Sequence, residues 1–236
     1  IEPSSIAPVV HTNELVRPLR LSGFFDTTAQ KTFPTADGAI TVPDNVWFHR
    51  CNNNSWFWFT YIDDTSITYA GGGTPISHSG NKSVVIYTAA NADAAKYSSH
   101  ANNLEHLQGV AQRLSLDDSK KYKLQFFYYR PNLVWGTTNV AANINHAEKI
   151  VVGIVSSTGA NTNTDYTYEK VITLEKTEGW KEYNITFDLP DIIQKNPGKS
   201  FEKCAIFFNI VPEIDSAQKT LKTLVNLDDI SLTETK

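Results

Sequence analysis

The sequence predicts an all-β sandwich, and three observations carry that prediction. About ten short segments are rich in Val, Ile, Thr, Phe, Tyr and Trp, the residues that suit a pleated, half-buried surface. Clusters of Gly, Pro, Asn, Asp and Ser separate them, as turns require. Helical periodicity is scarce, which argues against alternating strands and helices. With 236 residues and 41% hydrophobic content, one large β domain is expected rather than two small ones.

Residues 1–20 read as a leader or linker punctuated by Pro3, Pro8 and Pro18, and the folded domain is expected over 21–236. Strands are expected at Val46–Arg50, Ser55–Ile62, Lys82–Thr88 and Gly109–Leu116. Lys121–Arg130 is the clearest. Tyr122, Leu124, Phe126 and Tyr128 make one face of it, and Lys123, Gln125, Phe127 and Tyr129 make the other. The first set is the better core, which leaves the second for an open face. Further strands are expected at Lys149–Ser156, Tyr166–Leu174, Trp180–Leu189, Lys203–Val211 and Thr223–Thr233. A short helix is expected within Ala89–Leu107 and a single turn at Asp191–Lys195. Three long irregular stretches, Asp63–Gly80, Ala90–Leu107 and Pro131–Glu148, are of the kind that carries function in a compact domain.

Composition excludes several classes. Charged residues are 19% of the chain and the net charge is −4. There is no basic tract, so no nucleic-acid partner is expected. No apolar run reaches the roughly 18 residues of a membrane-spanning helix. Twelve Phe, ten Tyr and five Trp argue against disorder. The chain contains no Met, which predicts a processed product, and its Thr and Asn content suits a secreted or surface-attached β protein. Cys51 and Cys204 are too few for a disulfide scaffold; they form either one bridge or two separate buried thiols.

Several segments in order resemble a known family. They are Gly80-Asn81-Lys82-Ser83-Val84, Val110-Ala111-Gln112-Arg113-Leu114, Lys121–Arg130, Gly179-Trp180-Lys181-Glu182-Tyr183 and the closing Leu227-Asp228-Asp229-Ile230-Ser231-Leu232. Ser22-Gly23-Phe24-Phe25-Asp26 adds an opening element. Over residues 20–235 the chain resembles the galactose-binding-like jelly rolls, in particular the carbohydrate-binding modules found beside xylanases and other glycoside hydrolases. The resemblance implies a jelly-roll β-sandwich and a polysaccharide or oligosaccharide ligand; the three long stretches make this chain longer than a plain module of that type. It also implies a structural calcium ion held by Asp26 and Asp228 with carbonyls from the loop before Lys82.

A sugar ring offers an apolar C–H face to aromatic side chains and hydroxyls to planar polar groups. Trp135, in a polar loop, is the first stacking candidate. Phe127 and Tyr129 on the open face follow, with Gln125 and Arg130 as hydrogen-bonding partners. Within Trp56-Phe57-Trp58-Phe59 one parity is core, and Trp56 with Trp58 would form a platform if exposed. Trp47 and Trp180, at strand edges amid alternating residues, are expected in the core.

Catalytic patterns are sparse. There is no Gly-x-Ser-x-Gly, His-Glu-x-x-His, P-loop or Cys-x-x-Cys pattern. His100 and His106 match no metal-ligand spacing. Glu213-Ile214-Asp215 begins like the catalytic strand of β-glucanases, but Pro212 interrupts it and Gln218 stands in the region of the acid. The expectation is non-catalytic carbohydrate binding. The alternatives are a structural or adhesive sandwich of a cell-surface assembly and, behind it, a glycoside hydrolase or lyase.

Overall fold

A computed structural model describes residues 47–50, 58–64, 76–80, 82–88, 109–130, 145–156, 167–176, 179–219, 221 and 223–235. Within them the chain forms two sheets. The strands are β1 (Trp47–Arg50), β2 (Trp58–Asp64), β3 (Lys82–Thr88), β4 (Gly109–Leu114), β5 (Lys121–Tyr129) and β6 (Asn145–His146). There follow β7 (Lys149–Ser156), β8 (Thr167–Thr173), β9 (Trp180–Asp188), β10 (Cys204–Val211) and β11 (Thr223–Thr235). One short helix, α1 (Leu189–Lys195), follows β9 directly. The order is β1-β4-β10-β7-β8 in one sheet and β2-β3-β11-β5-β9 in the other. All these pairings are antiparallel; β6 adds to β11 in parallel. The chain crosses repeatedly between the two layers, and the all-β sandwich expected from the sequence is the architecture found.

The core lies between the sheets and is built by period-2 alternation. In β5, Tyr122, Leu124, Phe126 and Tyr128 are buried, as their spacing predicts. They meet Ile206, Phe208 and Ile210 of β10 and Ile150, Val152 and Ile154 of β7 in one cluster. Phe126 sets its ring edge-on to Phe208 across the layers, with centroids 5.1 Å apart. The two buried tyrosines keep their hydroxyls satisfied. Tyr122 Oη accepts from the Asp117 N–H at 2.8 Å, and Tyr128 Oη accepts from the Glu175 N–H at 3.1 Å.

The single turn expected at Asp191–Lys195 is the last part of α1. Asp188 caps the helix by accepting from the Asp191 N–H at 3.2 Å, and Pro190 occupies its first turn. Lys195 pairs with Asp191 one turn away, and Leu189 and Ile192 anchor the helix to the core. Cys204 is buried, its thiol directed at the Leu114 carbonyl 3.5 Å away. Cys51 lies outside the described residues, as do the 1–20 leader, the start of the domain at 21 and the helix expected within Ala89–Leu107.

The Glu213-Ile214-Asp215 fragment leads into a tight turn at residues 216–218. Asp215 Oδ1 accepts from the N–H groups of Ala217 at 2.8 Å and Lys219 at 3.0 Å. Gln218 adopts a left-handed φ of 60° within that turn.

Candidate functional site

The outer face of the six-stranded sheet divides into two halves. On β3 and β11 the outward residues Val85, Leu224, Asn226 and Asp228 are buried. On β5 and β9 the outward residues are half-buried or exposed. Cross-strand register sets them side by side on the open half: Tyr129 opposite Trp180, Phe127 opposite Glu182, and Gln125 opposite Asn184. The face predicted from the β5 alternation is therefore the one that stays open.

Trp180 belongs to this face, which corrects its expected place in the core. The buried positions of β9 are Ile185 and Phe187, with Tyr183 packed against the core. Counting back by twos from those odd positions turns Trp180 outward. The signal was present in the alternation, but the position of Trp180 at the strand edge hid it.

Segment 76–80 contributes a ring that no local sequence signal singles out. The His78 imidazole lies flat on Phe127, with ring centroids 3.8 Å apart and 14° between planes. It meets Trp180 edge-on at 5.9 Å. Trp180 is 5.5 Å from Tyr129, and Tyr129 is 5.9 Å from His146. Four rings thus run continuously along the open half, and the buried ring of His146 adjoins the row at Tyr129. Polar groups flank the row: Glu182 and Asn184 are exposed and bonded to each other at 2.6 Å, and Gln125 is half-buried.

Two adjacent carboxylates hold segment 76–80 in place. The register of β11 shifts between Asp228 and Ser231, and Asp229 takes a left-handed φ of 46°. This irregularity brings both acids to the same segment. Asp228 Oδ2 accepts from the N–H groups of His78 at 2.7 Å and Ser79 at 3.2 Å, and its Oδ1 accepts from the Asp229 N–H at 2.7 Å. Asp229 Oδ2 bonds to His78 Nδ1 at 2.6 Å, and its Oδ1 accepts from Ser79 Oγ at 2.6 Å. Ser83 Oγ donates to the Ile76 carbonyl at 2.6 Å.

The loop before Lys82 does meet Asp228, but through N–H donors. A calcium ion needs oxygen ligands, and N–H groups present the opposite polarity. Among the described residues no group of three or more His, Cys, Asp or Glu converges. Asp26 lies outside the described residues.

At the far end of the row, His146 is buried and neither ring nitrogen completes a hydrogen bond. Burial drives its pKa down to about 4; the Tyr129 backbone opposes the fall and the Arg130 guanidinium adds to it. Arg130 is half-buried and commits Nη1 to the Leu174 carbonyl, so this nitrogen is turned to the backbone rather than to a ligand. Trp58 lies on β2 and Trp47 on β1. Trp56 and Trp135 lie outside the described residues.

No known family model matches the chain, and no curated protein matches it. Solved structures do. The CBM22-2 xylan-binding domain of Xyn10C from Paenibacillus barcinonensis is 13% identical at a TM-score of 0.45, covering 85% of this chain and 96% of that one. A CBM4 structure is 14% identical at a TM-score of 0.40, covering 75% and 87%. TmCBM61, solved with β-1,4-galactotriose, is 12% identical at a TM-score of 0.38, covering 80% and 88%. The chain resembles carbohydrate-binding modules. The β-sandwich itself rests on the strand order and pairing described above.

Proposed function

We propose that this protein binds carbohydrate without catalysis, on the open half of the six-stranded sheet. One observation carries the reading: Phe127, His78, Trp180 and Tyr129 form a continuous aromatic row on a sheet face, bordered by Gln125, Glu182 and Asn184. Aromatic faces pack against the C–H faces of pyranose rings, and amides and carboxylates receive the hydroxyls. A row longer than one ring suits an oligosaccharide or polysaccharide better than a single sugar. Trp135, Trp56 and Trp58 are proposed as additional stacking residues, and Arg130 as a supporting donor through Nη2. The protein acts outside the cell or at its surface, where polysaccharides are met. Among the described residues no helix is long and apolar enough to cross a membrane.

The test is affinity electrophoresis in gels containing xylan, barley β-glucan, β-1,4-galactan or galactomannan, with and without chelator. Retardation of the wild type by at least one glycan is expected, reduced at least tenfold in affinity by Trp180→Ala. Trp135→Ala in the same gel tests the loop residue. A calcium ion is proposed on Asp26 and Asp228 with carbonyls from the loop before Lys82. It predicts a lower melting temperature after chelation, and an unchanged one rejects it. Folded protein retarded by no glycan would overturn the carbohydrate reading and favour the adhesive or scaffold sandwich.

A further inference from the structure

Resting on the carbohydrate-binding reading, we infer that His78 Nε2 is a hydrogen-bond acceptor for a ligand hydroxyl, and that Asp229 is the positioning residue that makes it one. The argument begins with the ring. His78 is exposed, yet its plane is set by Phe127 beneath it at 3.8 Å and by Trp180 at its side. Its backbone is pinned because Asp228 Oδ2 accepts the N–H groups of both His78 and Ser79. Rotation of the ring is opposed by the 2.6 Å contact of Nδ1 with Asp229 Oδ2.

That contact decides the tautomer. An ionised carboxylate only accepts, so Nδ1 must carry the proton. Asp229 has no freedom to turn away, because its other oxygen holds Ser79 Oγ. In the neutral imidazole the second nitrogen, Nε2, is then left as a lone-pair acceptor. Nε2 has no partner among the described residues. The imidazole stands edge-on to Trp180, whose face is where a sugar ring would rest on this reading, and a hydroxyl of that sugar is the donor chemistry that fits. The two neighbouring polar groups do different work: Glu182 already accepts from Asn184 Nδ2. His78 in this tautomer thereby supplies an acceptor in a row that is otherwise a stacking surface.

Two measurements test this separately. Long-range proton–nitrogen spectra of the intact protein at about pH 8, above the ordinary imidazole range, report the tautomer with no ligand present. The Nδ1-protonated form is expected for His78 in the wild type, and Asp229→Asn should shift it toward the Nε2-protonated form. A wild type in the Nε2-protonated form overturns the inference whatever the protein binds. In the gel of the retarding polysaccharide, His78→Phe keeps a ring on Phe127 and removes Nε2. Its affinity should fall about two- to tenfold, the span of one neutral hydrogen bond. Asp229→Asn should fall by a smaller factor and Asp229→Glu should recover part of it. Thermal melting of each variant shows that the fold is retained. Retention of His78→Phe equal to wild type overturns the inference while leaving carbohydrate binding standing. Absence of retardation by all four glycans overturns both.

Discussion

β5 and β7 are similar in length and both line the same core, yet their outer faces differ. In β5 buried and half-buried residues alternate, so Gln125, Phe127 and Tyr129 look away from the core into an open face. In β7 every residue after Lys149 is buried, and Val151 and Val155, which point away from the core, are as inaccessible as those that point into it. Its neighbour β10 repeats the pattern with Ala205, Phe207 and Asn209. A strand that packs on one side alternates, whereas a strand packed on both sides reads as a continuous apolar run. The contrast separates a sealed outer face from one whose outward residues, Phe127 and Tyr129 among them, are aromatic but only half-buried.

The sealed face should be the more expensive to disturb. Phe207 of β10 lies over Gly153 of β7, where an added Cβ would come within 2.7 Å of the Phe207 ring and 2.5 Å of the Tyr168 carbonyl oxygen. Phe207→Ala should cost about 3–5 kcal/mol in urea denaturation. A loss below about 1 kcal/mol would show that this outer face is not packed and would erase the contrast.

The next largest effect belongs to His146, at the end of the open row. Its folded-state pKa of about 4 lies below that of the unfolded chain, so the unfolded chain takes up the proton first as pH falls. Stability is fully present above about pH 6.5 and is lost progressively as pH drops through about 4, by roughly 3 kcal/mol at most. His146→Leu should remove this slope and, because neither ring nitrogen completes a hydrogen bond, should cost little at neutral pH. Denaturation curves at several pH values that run parallel for wild type and variant would contradict the assignment.

Trp180→Ala should separate the two faces by kind of effect. The side chain is half-buried, so about 1–2 kcal/mol of stability is expected to go, while glycan retention falls at least tenfold. A large stability loss with unchanged retention would put Trp180 on the structural side of the comparison. The smallest effect is expected at the rim of the sealed face. Val171 on edge strand β8 pairs with Val151 but is 55% exposed. Val171→Lys should change stability by no more than about 0.5 kcal/mol, and a much larger loss would extend the sealed region to the edge.

Much of this contrast is legible in the sequence. The alternation of Tyr122, Leu124, Phe126 and Tyr128 against Gln125, Phe127 and Tyr129 states which face of β5 is core, because side chains in a strand have no third direction to take. The same count applied to Ile185 and Phe187 would have turned Trp180 outward. By contrast, nothing in Ser77-His78-Ser79 distinguishes His78 from other loop histidines, and its place depends on Asp228 and Asp229, 150 residues away in the chain.

Local periodicity and turn chemistry thus determined the class of fold, most strand positions and the identity of the open face of β5, because each depends on residues a few positions apart. Tertiary structure decided the rest. It paired Tyr129 with Trp180, placed the carboxylates of Asp228 and Asp229 against segment 76–80, and laid the imidazole of His78 on Phe127. Those contacts depend on which strands become neighbours, and strand order is set by the burial of the whole sandwich rather than by any segment within it.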